Sequence, residues 1–145
     1  MKRTLISLAF IALIQIVVKS QTVNDTVLIK HTILNYALGW YEGKADSIQK
    51  AMYSDFGKRK ISVDENGKTK ISPNTAMSMY QKTQKRSSKP MSHEDAVKKI
   101  KDMGIFAIYD NIASAYIKSD GWIDFILLAK IDGEWKMMNV VWQKP

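Results

Sequence analysis

From Trp122 to Trp142 the chain predicts two long strands joined at Asp132-Gly133, a dipeptide suited to a two-residue type I′ hairpin because both of its positions need positive φ. With that turn setting the register, Ile131 faces Glu134, Leu128 faces Met137, Ile126 faces Asn139 and Asp124 faces Val141. One face then carries Trp122, Asp124, Ile126, Leu128, Trp135, Met137, Asn139 and Val141, and the other Ile123, Phe125, Leu127, Ala129, Met138, Val140 and Trp142. Both faces are apolar, so the pattern predicts a ribbon covered on both sides. Apolarity alone does not choose the inward face. The polar pair Asp124 and Asn139 favours theirs, because a ligand pocket needs a few placed polar groups.

Upstream, periodicity changes from two to between three and four. Asn24 or Asp25 can cap a helix that runs to Gly43, with Val27, His31, Leu34, Leu38 and Tyr41 on one stripe and Ile33, Ala37 and Trp40 widening it. A short helix is expected from Ala45 to Tyr53, then a small exposed hairpin, Arg59–Val63 against Thr69–Ser72. Ser72-Pro73 reads as the start of a third helix, and Ser92 opens a further helical turn. Strands are expected at 105–109 and 112–117, ahead of the terminal hairpin. Helices first and a four-strand antiparallel meander afterwards make an α+β domain. N-terminal helices across a strongly curved antiparallel sheet form a cone with a pocket between the layers.

The first twenty residues differ in character. Met1-Lys2-Arg3 is followed by an apolar run from Leu5 to Val18 broken only by Ser7 and Gln15, and Ser20 offers a small residue before a cut. This is the pattern of a cleaved secretory signal over 1–20, leaving one domain over 21–145. The run falls short of the roughly 20 apolar residues that span a bilayer, so an exported product, periplasmic or secreted and without stable membrane insertion, is expected. Removing Lys2, Arg3 and Lys19 lowers the net charge from +8 to +5. Much of the remainder clusters between Lys82 and Lys101, which reads as a solvated basic segment; with no nucleic-acid module visible, no nucleic-acid partner is expected. The chain has no cysteine and only two histidines, His31 and His93, without ligand-spaced acids. Neither a metal site nor a cofactor is expected.

Four stretches carry a family resemblance: Asn35-Tyr-Ala-Leu-Gly-Trp-Tyr-Glu-Gly-Lys-Ala-Asp46, Tyr53-Ser-Asp-Phe-Gly-Lys-Arg59, Tyr109-Asp-Asn-Ile-Ala-Ser114, and the closing hairpin with Gly133-Glu-Trp-Lys-Met-Met-Asn-Val-Val-Trp142. Together they resemble the putative lumazine-binding family of the nuclear-transport-factor-2-like, or cystatin-like, superfamily, beside its polyketide-cyclase-like members. The resemblance implies a cone fold and a pocket for a small heteroaromatic ligand. It also departs at one point: the family's His-Pro is Tyr53-Ser54 here, so any role of that histidine is lost or passes to Tyr53.

Asp124 is the candidate chemical group. In a low-dielectric cone its carboxylate can hold a raised pKa and move protons; the plainer role is a structural acid bonded to Asn139, a backbone amide or Arg59. His31 is either a core histidine or a proton shuttle facing Asp124. Tyr36, Trp40, Tyr53, Arg59, Trp122 and Asn139 are the candidate ligand-binding residues, the aromatic ones by stacking on a flat ligand. Three functions stand side by side: a noncatalytic binding domain for a flat organic ligand; an isomerase or dehydratase with Asp124 as general base; and an interaction module with a filled cavity. Whether the chain is an enzyme is left open. A homodimer through the sheet is expected if the Phe125 face is the outer one.

Overall fold

The computed structural model describes residues 24–145. The expected signal segment, 1–20, lies outside them, so the boundary at 21 does too. Helix α1 covers residues 24–42 and stops at Gly43, whose φ of +69° is left-handed. The Lys44 amide returns to the Gly39 carbonyl at 2.9 Å, the six-to-one bond of a Schellman ending. A Cβ on Gly43 would also meet the Ser87 backbone at 2.7 Å. Glycine is required here twice over.

Helix α2, Ala45–Ala51, turns directly into β1, Met52–Val63, because Met52 is already extended. The expected continuation to Tyr53 is therefore strand. β1 pairs with β2, Thr69–Thr75, and Pro73 sits within that pairing opposite Arg59. An edge strand tolerates proline because no ladder bond is needed on its outer side. The third helix starts later than expected, at the capping box made by Thr75 and Ser78, and α3 runs Ala76–Arg86. α4, His93–Lys99, follows its Ser92 cap. The meander is β3, Ile100–Tyr109; β4, Ile112–Ser119; β5, Trp122–Ile131; and β6, Glu134–Gln143.

The six strands form one sheet in the order β2-β1-β6-β5-β4-β3. Its neighbours run antiparallel except β1 and β6, which are parallel. The fold is the expected α+β cone, with two more strands than the meander alone. α1 places Ile29, Ile33, Tyr36 and Ala37 in the core. Its start is fastened to the far end of the chain: Asp25 accepts from Lys130 Nζ at 2.6 Å and Trp135 Nε1 at 3.0 Å, while Thr32 donates to the Trp135 carbonyl.

The closing turn has positive φ at both Asp132 and Gly133. Up to Leu128 opposite Met137 the register is the expected one; beyond it, Leu127 faces Asn139 and Asp124 faces Trp142. Met138 is an extra residue, a β-bulge in β6, and it reverses which later side chains face inward. Val140 is fully buried, whereas Asn139 and Val141 are exposed. The expected placement of Asn139 and Val141 on the Asp124 face is thus corrected. The expectation that both hairpin faces are covered is corrected as well, because Phe125 and Leu127 are more than half exposed within the chain.

Candidate functional site

Parity along β1 sets the chemistry of the interior. Phe56 and Lys58 point into the cone while Arg59 points out, as successive strand residues must. Inside, Lys58 Nζ donates to both oxygens of Asp124, at 2.9 and 2.7 Å, and to the Tyr36 hydroxyl at 2.8 Å. The same nitrogen lies 5.2, 5.3 and 5.0 Å from the ring centres of Tyr36, Trp122 and Trp142. An ammonium boxed by aromatic faces and one carboxylate has its charge balanced without water.

Burial pulls the Lys58 ammonium below its ordinary range, against the attraction of Asp124. Burial likewise pushes the Asp124 carboxyl up, against the pull of Lys58. The Tyr36 phenol is raised well above its usual value by burial and by the nearby Asp124 charge.

Above this group lies a cavity of about 150 Å³, lined by Tyr36, Trp40, Lys58, Asn74, Met79, Lys82, Trp122 and Trp142. α1 supplies Tyr36 and Trp40, α3 supplies Met79 and Lys82, and the sheet supplies the rest. Arg86 pins Trp40 from outside, donating to its carbonyl at 2.9 Å with its guanidinium 4.6 Å from the indole. Tyr41 stacks on Trp122 at 6.3 Å. The Trp142 indole nitrogen is a buried donor with no acceptor among the described residues.

Of the residues singled out in the sequence, Tyr36, Trp40 and Trp122 line this cavity and Asp124 lies directly behind Lys58. The others lie elsewhere. His31 is exposed, bonded to Asn35 at 3.2 Å and bordering a separate depression with Leu28 and Thr32, so it does not face Asp124. Arg59 and Asn139 are exposed and bond to each other at 3.2 Å on the outer sheet face. Tyr53 is half-buried in the irregular start of β1 and does not line the cavity. Lys58, Asn74, Met79, Lys82 and Trp142 are cavity residues that sequence reading missed. The signal for Lys58 was its parity with Phe56; Trp142 was hidden by the bulge.

Among the described residues no three His, Asp or Glu side chains gather as a metal site, and no helix is long and apolar enough to cross a membrane. The chain matches the family described as "Putative lumazine-binding" over residues 24–143. It belongs to that family. Solved structures share the fold at low identity. An NTF-2-like protein of unknown function from Silicibacter pomeroyi aligns with TM-score 0.64 and 11% identity over 86% of this chain and 98% of its own. An NTF2-like protein with a cystatin-like fold from Novosphingobium aromaticivorans gives 0.62 and 9% over 89% and 87%. A protein from the same species described as a putative scytalone dehydratase gives 0.56 and 13% over 88% of each chain. No curated protein matches the sequence significantly.

Proposed function

We propose that this member of the lumazine-binding family is an exported, periplasmic or secreted, binding domain that takes a flat organic ligand between its aromatic walls. One observation carries the reading: the aromatic-lined cavity of about 150 Å³ ends on Lys58, whose charge is already balanced by a fully buried carboxylate. Such a floor is rigid before a ligand arrives, which limits the ordering cost of binding. Trp40, Trp122 and Trp142 offer stacking faces. The family's name supports a small heteroaromatic ligand.

The same geometry weighs against Asp124 as a general base. Both of its oxygens are held by Lys58 and it has no exposed surface, whereas a base must reach the proton it removes. The open volume also weighs against a cavity filled by its own side chains. The outer sheet face, where Phe106 stacks on Phe125 at 5.9 Å and Leu127 and Val141 are exposed, supports a homodimer through the sheet.

The test is native mass spectrometry of the protein purified from its own host, followed by titration with lumazine while tryptophan fluorescence is monitored. A co-purifying heteroaromatic compound and saturable quenching are expected. A consistently empty protein whose fluorescence ignores lumazine and other flat heterocycles overturns the reading.

A further inference from the structure

We infer that the ligand of this cavity is a flat aromatic oxyanion, a ring system carrying a carboxylate or an ionised oxo group, with its charge at the mouth formed by Asn74 and Lys82. The inference rests on the cavity being a ligand site. It follows from counting what the wall can still offer once its internal bonds are made.

Lys58 has three N–H bonds, and Asp124 and Tyr36 take all three. The Tyr36 hydroxyl accepts from Lys58 and keeps its own hydrogen to donate. At the mouth, Lys82 donates to Asn74 Oδ1, while the Ser78 hydroxyl donates to the Thr75 carbonyl at 3.0 Å. With its oxygen so occupied, Asn74 has its NH2 left to give. Lys82 retains two further N–H bonds and forms no ion pair among the described residues. The acid nearest the cavity, Asp124, is fully buried with both oxygens spent.

Besides the buried, unpaired Trp142 indole N–H, the wall therefore offers donors from Tyr36, Asn74 and Lys82 and no free carboxylate. Its charges do not cancel either: Lys58 and Asp124 neutralise each other, and Lys82 leaves one positive charge. A cationic ligand would meet a like charge. A ligand without acceptors would leave the buried Tyr36 hydroxyl and the half-buried Asn74 amide unpaired, which costs more than the contact returns. An aromatic anion satisfies both ends, its ring against the indoles and its oxygens at the mouth.

The test is calorimetric titration of the purified chain with a shape-matched series: 2-naphthoate, 2-naphthamide and 2-naphthylmethylammonium. Lys82 is solvent-exposed on α3, so Lys82→Gln leaves the fold intact. Naphthoate is expected to bind about two- to fivefold tighter than the amide, and the ammonium compound weakest, as one exposed charge contact allows. Lys82→Gln is expected to abolish the preference of naphthoate over the amide, both ligands being titrated into the variant. Equal binding of amide or ammonium and carboxylate overturns the inference while the cavity reading stands, as does a preference that survives Lys82→Gln. If none of the three probes binds, nor lumazine, the cavity reading itself falls and takes the inference with it.

Discussion

Lys58 and Asp124 stand 66 positions apart in sequence yet share two short hydrogen bonds, with 6% and 0% of their surfaces exposed. The pair joins β1 to β5 across β6, and Tyr36 brings α1 onto the same nitrogen. Because both charges are out of water, the pair is worth little against an apolar substitute but a great deal against a broken half. Lys58→Met, which strands the carboxylate, is expected to cost about 3–5 kcal/mol. Lys58→Met combined with Asp124→Leu is expected to recover at least half of that loss. Urea denaturation of the wild type, both single variants and the double variant measures this. A double variant no more stable than Lys58→Met would show that the two charges are not coupled.

His31 and Asn139 make the opposite case. Each is exposed, and each touches one polar neighbour on the surface, Asn35 and Arg59 respectively. His31→Ala and Asn139→Ala are expected to change stability by no more than about 0.5 kcal/mol and to leave ligand affinity unaltered. Trp40→Ala, which removes a wall of the cavity, is expected to weaken ligand binding at least tenfold by the same titration.

Trp142 tests a different balance. Its ring lines the cavity, but its indole N–H is buried without an acceptor. Trp142→Phe gives up some packing and relieves an unpaired donor, two effects of similar size and opposite sign. The ligand-free variant is expected to unfold within about 1 kcal/mol of the wild type. A large loss in chemical denaturation would mean that the N–H has a partner after all.

The outer sheet face gives an assembly prediction. Phe106 on β3 and Phe125 and Leu127 on β5 are each more than half exposed, and the Phe106 and Phe125 rings stack across β4. Phe125→Lys with Leu127→Lys is expected to convert a dimer into a monomer in sedimentation velocity, with the far-ultraviolet circular dichroism unchanged. A wild-type chain that sediments as a monomer at micromolar concentration would sink the sheet-to-sheet arrangement.

Part of the acid sensitivity should trace to Glu42. Burial raises its carboxyl, but hydrogen bonds and charge from Lys44 and His93 outweigh this and hold it below the ordinary glutamate range. As pH falls from about 4.3, the unfolded chain binds the proton first. Stability from this group is therefore fully present above that pH and is lost as pH drops through the lowered value. The pH dependence of the urea midpoint should be shallower below pH 4.3 in Glu42→Gln than in the wild type.

The architecture was legible because its strongest local signals agree: the Asp132-Gly133 turn, two long apolar strands and a helix ending in glycine. The phase of the site was not. The bulge at Met138 leaves no mark in a strand whose two faces are both apolar, so Asn139 and Trp142 exchange sides without any break in the pattern. α1 posed the same difficulty. Ile33, Ala37 and Tyr41 fit more than one stripe, and the true one runs through Ile29 and Tyr36, turning Val27 and His31 outward. The alternation predicts the early strand only from Arg59, one residue too late to include Lys58, and Ser72-Pro73 predicts a helix start because an edge strand has no sequence signature of its own.

The clasp between Asp25 and the Lys130–Trp135 hairpin spans more than a hundred residues. A ribosome releases α1 more than a hundred residues before its anchor. The opening helix must wait, apolar flank uncovered, until the β5–β6 hairpin has emerged, and only then can the hollow close. A chain built this way stays unfinished for most of its synthesis, and truncation of even the final strand would deprive the first helix of its seat.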